Sequence, residues 1–464
     1  MTTTQPFIRS YATRRDARAF GATLRQSAPR RQLGELTATT RDPVEHLMEQ
    51  NADRVQELVP LRMARMLESP FAFYRGTAGL MALDLSDDPH SGIDVICCGD
   101  AHISNFGFYA SPERRLVFDL NDFDEAAGAP WEWDVKRLVT SAIIGGRHAG
   151  YDEAMVEGTA REAVMNYTFT LDKLSKLSPA DRYFMHSGGP YSRQRLNKAA
   201  QQALDAAVKA AERRTAERAI KRTTERGPDG KLRFIENPPT MKHVETDTVE
   251  TLATLVGRYR TTVGVDIELV LRQYEPLDLV QRVVGVGSVG TRCFLHLMAG
   301  ADDDLLLLQV KEATESVLVK YGKRPQAPRI AEGIEGHGNG YRVVALQRIL
   351  QGVSDPYLGY LQTNNRDYYL RQFHDMKGSI ELEGLDEKAY RPYVAACASL
   401  LARAHAQSPA AIEIVGYIGK SDAAADAILR WSYAYSDQSL RDYQALRAAA
   451  DEGRVPVADL AATA

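Results

Sequence analysis

An aspartate and an asparagine five residues apart, Asp100 and Asn105 in CGDAHISNFG (98–107), follow a short apolar run. Moving a phosphoryl group needs a carboxylate beside the attacking hydroxyl and a neutral oxygen ligand for Mg2+ close by. A D-x-x-x-x-N loop delivers both. The same spacing also occurs in surface turns, where Asp and Asn bond their own backbone. A second loop, FDLNDFDE (118–125), crowds Asp119, Asp122, Asp124 and Glu125 together. Carboxylates this close repel one another unless a cation lies among them. A divalent metal bound through one or two carboxylates and phosphate oxygens relieves that repulsion. A solvated acidic turn fits less well, because Phe118, Leu120 and Phe123 are interleaved and favour burial.

A third element is Gly285-Val286-Gly287-Ser288-Val289-Gly290, a G-x-G-x-x-G pattern. In a dinucleotide fold this pattern opens a helix, but here a β-like run, TRCFLHLM, follows it. A hairpin with a glycine tip is the form that covers phosphates in kinases. The strand-like LLLLQVKEA then places Lys311 about twenty residues on, where a lysine pairs with phosphates, with Glu312 and Glu315 as its candidate partners. Arg75, set among apolar residues in FAFYRG, could clamp a phosphate or pair with one of the aspartates. His102 is read as orienting its loop, and Asp134 as a helix cap.

The elements that must position these residues follow from periodicity. IDVICC (93–98) and RLVFDL (115–120) read as strands. Helices are expected over 134–175, 195–222, 340–351, 388–406 and 422–450, a hairpin at Asp229-Gly230, and a strand in RDYYLRQFHDM. The segment Gln372–Met376 after that strand is hinge-like. Residues 1–45 are polar and Arg-rich, an arm that wraps the body or stays mobile.

The composition is that of a globular protein, with 464 residues, 44% hydrophobic, 25% charged and a net charge of −4. No nucleic-acid partner is expected from that charge, and no membrane partner from the absence of a long apolar stretch. Cys97, Cys98, Cys293 and Cys397 form no CxxC pair, and the N-terminal stretch lacks the apolar core of a secretory signal. A cytoplasmic location is therefore expected, with the vicinal pair Cys97 and Cys98 buried in a strand.

CGDAHISNFG followed by LNDFDEA…PWEWDVKRL resembles the HGDLHxGN…IDFExA…D pattern of aminoglycoside and choline phosphotransferases, which are small-molecule kinases. The resemblance implies Asp100 as catalytic aspartate, Asn105 and Asp122 as Mg2+ ligands with Asp119 the competing choice, and Asp134 as a later structural aspartate. LLARAHAQS (400–408) resembles the helix that precedes the catalytic loop in those enzymes. A standard kinase, however, runs glycine loop, lysine, helix, catalytic loop, metal loop. Here the loops at 100–125 precede the glycines and Lys311.

The fold implied is α+β, a protein-kinase-like two-lobed fold that is circularly permuted. Its divisions are expected as an arm (1–52), a catalytic-loop lobe (53–270), a nucleotide-binding β-rich lobe (271–380) and C-terminal helices (381–464). Across most of its length the chain is also similar to the bacterial domain of unknown function 2252. The carrying segments include SPFAFYRG (69–76), VGSVGTR (286–292), LQVKEA (308–313) and AYSDQSLRDY (434–443).

The resemblance implies an ATP- and Mg2+-dependent phosphotransferase acting on a small hydroxyl-bearing acceptor. Asp100 and Arg75 would serve catalysis, and Gly285, Gly287, Ser288, Gly290 and Lys311 would bind ATP. The alternatives are a nucleotide-binding protein without transfer, a nucleotidyl transferase, or a metal-dependent hydrolase built on Asp100, His102, Asp119 and Asp122.

Overall fold

The computed structural model describes residues 9–38, 40–185, 197–243, 247–283, 289–363, 365–373, 376–382 and 384–459. The two β-branched, aromatic runs form β1 (Asp94–Cys97) and, after β2 (Phe106–Ala110), β3 (Leu116–Leu120). β4 (Ala127–Pro130) follows. β1 pairs antiparallel with β4, with Cys97 opposite Ala127. β2 pairs antiparallel with β3, with Phe106 opposite Leu120. Both loops, 98–105 and 121–126, therefore cross between the same two ribbons and run side by side. The Asn121 amide donates to the Asn105 carbonyl at 3.0 Å. Register thus delivers the neighbourhood that the motifs require.

Asp229-Gly230 does turn a hairpin, joining β5 (Thr224–Arg226) to β6 (Leu232–Phe234). The second sheet is antiparallel throughout. It holds β7 (Met241–His243), β8 (Glu275–Arg282), β9 (Cys293–Ala299), β10 (Leu305–Ala313), β11 (Gly359–Gln362) and β12 (Asp367–Gln372) in the order β11-β12-β10-β9-β8-β7. A short β13 (Gly378–Ser379) returns to the free edge of β2.

Both faces of the six-stranded sheet are covered. Leu295, Leu297 and Leu307 meet Ala219, Ile220 and Phe234 on one side. Met298, Leu306 and Leu308 meet Val256, Tyr259 and Leu271 on the other. Double-sided burial explains why β10 is a continuous leucine run instead of an alternating one. Ala219, Ile220 and Phe234, and then Val256, Tyr259 and Leu271, consequently belong to the layers around this sheet, so the segment 53–270 is shared between the two halves of the molecule.

The helix expected over 340–351 spans Pro328–Leu350. Its first half, IAEGIEGHGNG, is too rich in glycine to look helical, and tertiary packing overrides the weak propensity. It kinks at Gly338, where φ is 75° and a Cβ would fall 2.3 Å from the Asp367 carboxylate. The expected helix over 134–175 is two, Trp131–His148 and Glu153–Leu174, parted by a turn at Gly150 (φ 76°) and an Asp152 cap. The C-terminal helices Glu387–His405 and Ala423–Asp451 lie against them and share their core with β1 and β4. Helices thus segregate from antiparallel sheets, an α+β architecture. Among the described residues no helix is long and apolar enough to cross a membrane.

From Arg9 onward the arm wraps the body. Arg9 and Tyr11 bond the buried Glu413 carboxylate at 2.9 and 2.8 Å, and Arg25 and Arg30 donate to the carbonyls of Tyr417 and Ile418. The arm helix Arg14–Thr23 crosses the helix Ala411–Ile418 at two glycines. A Cβ on Gly21 would lie 1.9 Å from the Glu413 carbonyl oxygen, and one on Gly416 2.1 Å from that of Arg18. Gly416→Ala should therefore cost about 1–3 kcal/mol, the usual range for overpacking. Trypsin should then cut the variant within Arg14–Arg18 under conditions that leave the wild type intact.

Candidate active site

The loop bearing Asp100 turns at Gly99, whose φ of 80° and close approach to the Glu125 carbonyl (2.1 Å for a built Cβ) exclude any side chain. Asp134 fixes the turn. Its carboxylate accepts the Cys98 amide at 2.7 Å and the Gly99 amide at 3.0 Å, so it caps this loop and not its own helix. His405 Nε2 lies 3.2 Å from the same carboxylate, and His405 Nδ1 lies 2.8 Å from the Tyr167 hydroxyl. The histidine of the LARAHA helix is thus part of the brace under the loop. Cys97, Asp134 and His405 are also close enough to encircle a cation. They are buried, and the two Asp134 oxygens already take amide protons, so their arrangement is that of a brace. Cys97 and Cys98 are buried as expected.

Arg137 holds Asp100, with Nη2 at 2.8 Å and Nε at 2.9 Å from Oδ1, while Nη2 also donates to the Tyr74 carbonyl. Burial raises the Asp100 pKa against the pull of Arg137. His102 Nε2 lies 3.7 Å from Asp100, and its Nδ1 has no hydrogen-bond partner among the described residues. Burial and the cations Arg75 and Arg137 hold its pKa well below the usual value, so it is neutral. Asn105 donates its amide to the carbonyls of Asp100 (2.9 Å) and Asp122 (3.1 Å), tying the two loops together. Only its side-chain oxygen remains for a ligand.

Lys311 reaches this point from β10. Its ammonium lies 2.5 Å from Asp124 and 3.5 Å from Asp122, and the Tyr369 hydroxyl donates to Asp124 at 2.6 Å. Burial disfavours charge on Asp122, but Lys311, Arg371 and Lys377 outweigh it and hold the pKa below the usual carboxylate range. The same carboxylates outweigh burial for Lys311 and raise its pKa. Glu312 was a candidate partner for Lys311, but strand alternation turns it the other way, to Arg292 and Arg366. Glu315 is exposed and is not among the carboxylates at Lys311.

Asp119 is a second correction. It is fully buried, accepts the amides of Leu120 (2.9 Å) and Gly352 (2.7 Å), and pairs with Arg403 at 3.1 Å. It lies outside the cleft, so the hydrolase set Asp100, His102, Asp119 and Asp122 does not converge. Oxygen donors suited to Mg2+ are instead offered by Asn105, Asp122 and Asp124, few enough that phosphate oxygens and water would complete the shell.

These side chains line a cleft of about 430 Å³ between the sheet and the two loops. Arg75, Thr291 and Glu125 line it as well. Gly285, Gly287 and Ser288 lie outside the described residues, as do His374 and Asp375 of the hinge-like segment. Gly290 is described. Its φ is 87°, its carbonyl accepts the Val55 amide at 2.8 Å, and Arg54 donates to the adjoining Val289 carbonyl at 2.6 Å. The glycine segment therefore lies between two antiparallel strands, β8 and β9, and its described end, Val289-Gly290, rests on the segment around Arg54.

Sequence reasoning missed several participants. Arg342 is buried and donates to the carbonyls of Asp124, Ala126 and Thr314, pinning the acidic loop to the kinked helix. Nothing in the sequence marks it. Arg137 lay one helical turn beyond Asp134, a spacing that puts both on the loop side of their helix.

The family model described as "uncharacterized protein conserved in bacteria", DUF2252, matches residues 54–449. The chain belongs to the DUF2252 family. No curated protein and no solved structure matches it. The DUF2252 region takes in every residue lining the cleft except Gln50 and leaves the arm outside.

Glu125, at the mouth of the acidic loop, accepts the Val317 amide at 2.7 Å, and burial lifts its pKa to about 7. A carboxyl whose pKa is raised in the folded state loses stability as pH climbs from its unfolded value to its folded one. Glu125→Gln should therefore gain on the wild type between about pH 4.5 and 7, by up to ~3 kcal/mol at about 1.4 kcal/mol per unit. The difference should be flat above about pH 8. Urea unfolding across that range checks it.

Proposed function

We propose that this cleft transfers the terminal phosphoryl group of ATP, with Mg2+, to the hydroxyl of a small molecule, on a circularly permuted protein-kinase-like fold. The observation that carries the reading is the meeting of Lys311 with Asp122 and Asp124. They are 189 and 187 residues apart in the chain, yet they lie within 3.5 Å beside Asp100 and Asn105. A kinase site needs a strand lysine for the phosphates, a metal-binding acid, an asparagine and a catalytic aspartate in one place.

The order along the sheet supports it. Two antiparallel strands flanking the glycine segment (β8 and β9) lead to a strand with the lysine (β10), then a short helix and the long helix Pro328–Leu350, then two more strands (β11 and β12). That is the sequence of parts in a kinase nucleotide lobe, here placed after the catalytic loop. One part differs. The helix Pro328–Leu350 sends Arg342 toward the acidic loop, where protein kinases send a glutamate to the lysine. Lys311 takes its carboxylate partners from the acidic loop instead.

In this mechanism Asp100, held by Arg137, orients the acceptor hydroxyl and takes its proton. The hydroxyl oxygen forms a bond to the γ-phosphorus as the bond to the β,γ-bridging oxygen breaks, and ADP leaves. Asn105 and Asp122 are the residues that would hold Mg2+, which when bound neutralises charge on the phosphates. Lys311 exchanges part of its contact with Asp124 for phosphate oxygens. His102, neutral and in the floor of the cleft, sets the loop without carrying charge.

Mg-ATP at about 100 times its Kd should stabilise the wild type by ~2.7 kcal/mol, a shift of several degrees. Lys311→Met and Asp122→Asn should lose that shift. Asp100→Asn should keep it while slowing turnover by roughly 10²–10⁴-fold. A wild type that shows no magnesium-dependent shift with ATP refutes the reading.

A further inference from the structure

Beyond the groups assigned above, Arg54, Arg62 and Arg75 are among the arginines that line the cleft with no carboxylate in contact. Asp100 favours the charge on Arg75, and Glu125 and Glu312 that on Arg54, but no acid does so for Arg62. Asp100 is paired with Arg137, Asp122 and Asp124 with Lys311, and Glu312 with Arg292 and Arg366. Glu125 accepts a backbone amide. Arg54, Arg62 and Arg75 form no ion pair among the described residues. Arg54 donates to the Val289 carbonyl, and Arg62 to Asn51 Oδ1 and the Gly76 carbonyl. The Nε atoms of Arg62 and Arg75 are buried without any hydrogen-bond partner, and Arg62 is only 1% exposed. Burial penalises the charge on all three. Unpaired buried cations are expensive, and a fold keeps them where a ligand supplies the missing charge.

The wall they share is shaped for an anion. Gly76, Ala78 and Gly79 line the cleft with them, at the start of the helix Ala78–Ser86. Thr77, in the capping position, turns its hydroxyl back to the Tyr74 carbonyl, so no side chain caps the first amides of that helix. Open helix amides beside guanidinium groups are a standard phosphate or carboxylate cradle.

We propose that Arg62, Arg75 and the start of the helix Ala78–Ser86 form an oxyanion subsite, with Arg54 at its rim, for an acidic group on the small molecule that meets Asp100. The ligand class is a hydroxyl compound that already carries a phosphate or carboxylate. That the ligand is the acceptor rests on the phosphotransfer reading. The existence of the subsite does not.

The Arg75 side chain makes no hydrogen bond or ion pair among the described residues, so Arg75→Gln should fold with an unchanged or higher melting temperature. Arg62→Lys keeps the charge but loses the fork that reads an oxyanion, and it serves as the second variant. Orthophosphate binding to the full chain is measured by calorimetry, alone and with saturating Mg·AMP-PNP, which fills the positions of the nucleotide phosphates. Orthophosphate should bind the wild type equally well in both conditions, and each variant should bind it at least tenfold more weakly. Displacement of orthophosphate by AMP-PNP would assign the arginines to the nucleotide and overturn the subsite. So would a wild type that binds no orthophosphate, or an Arg75→Gln protein that binds it normally. If AMP-PNP fails to bind while orthophosphate binding depends on Arg75, the subsite stands and the kinase reading falls.

Discussion

The carboxylate of Asp134 is the contact on which the cleft depends. It accepts two successive backbone amides, of Cys98 and Gly99, immediately before Asp100, and it meets His405 from the C-terminal half. Two buried amides at a positive-φ turn have no strand or helix partner, and leaving them unpaired would cost on the order of 1–3 kcal/mol each. One side chain satisfies both, and in doing so it sets the direction in which the chain leaves for Asp100. Histidine and tyrosine behind it, His405 and Tyr167, keep the carboxylate from rotating away. The loop is therefore rigid because of what lies beneath it, while the residues facing the cleft stay available.

The opposite side of the cleft is held by charge. Lys311 on β10 bridges to the acidic loop through Asp122 and Asp124, and Arg342 ties the same loop to the kinked helix through three carbonyls. Neither contact is local in sequence. Together they make the orientation of the six-stranded sheet over the two loops a matter of a few polar contacts around a cleft. Any ligand that draws Lys311 away from Asp124 would also loosen one of the ties between the halves.

Much of the positioning was legible in the residues themselves. The runs before Asp100 and around Asp119 alternate or cluster as strands must, and the pairing of their ribbons places Asn105 beside Asp122 with no help from distant chain. β10 could be read from its leucines, and Lys311 from its place at the end of them. What escaped reading depended on direction and on glycine. The acidic run does not say which of its carboxylates faces the cleft, because alternation along β3 sends Asp119 inward to Arg403 while the following loop turns Asp122 outward. The helix from Pro328 was half hidden by its glycines, two of which, Gly338 and Gly340, make close contacts at Asp367 and Tyr368. Arg342 and Arg62 were silent, since a buried arginine bonded to carbonyls leaves no pattern in a linear sequence.

The brace at Asp134 also has a temporal meaning. Its histidine partner is 271 residues further along the chain. At about 5–20 residues per second, roughly 15–55 s of synthesis separate the two on the ribosome. Throughout that interval the loop carrying Asp100 lacks its final support, while the helices Trp131–His148 and Glu153–Leu174 are already made. The loop carrying Asp100 is thus completed by a helix made long after the loop itself. A nascent or prematurely terminated chain would hold every loop residue of the cleft and still lack its working geometry.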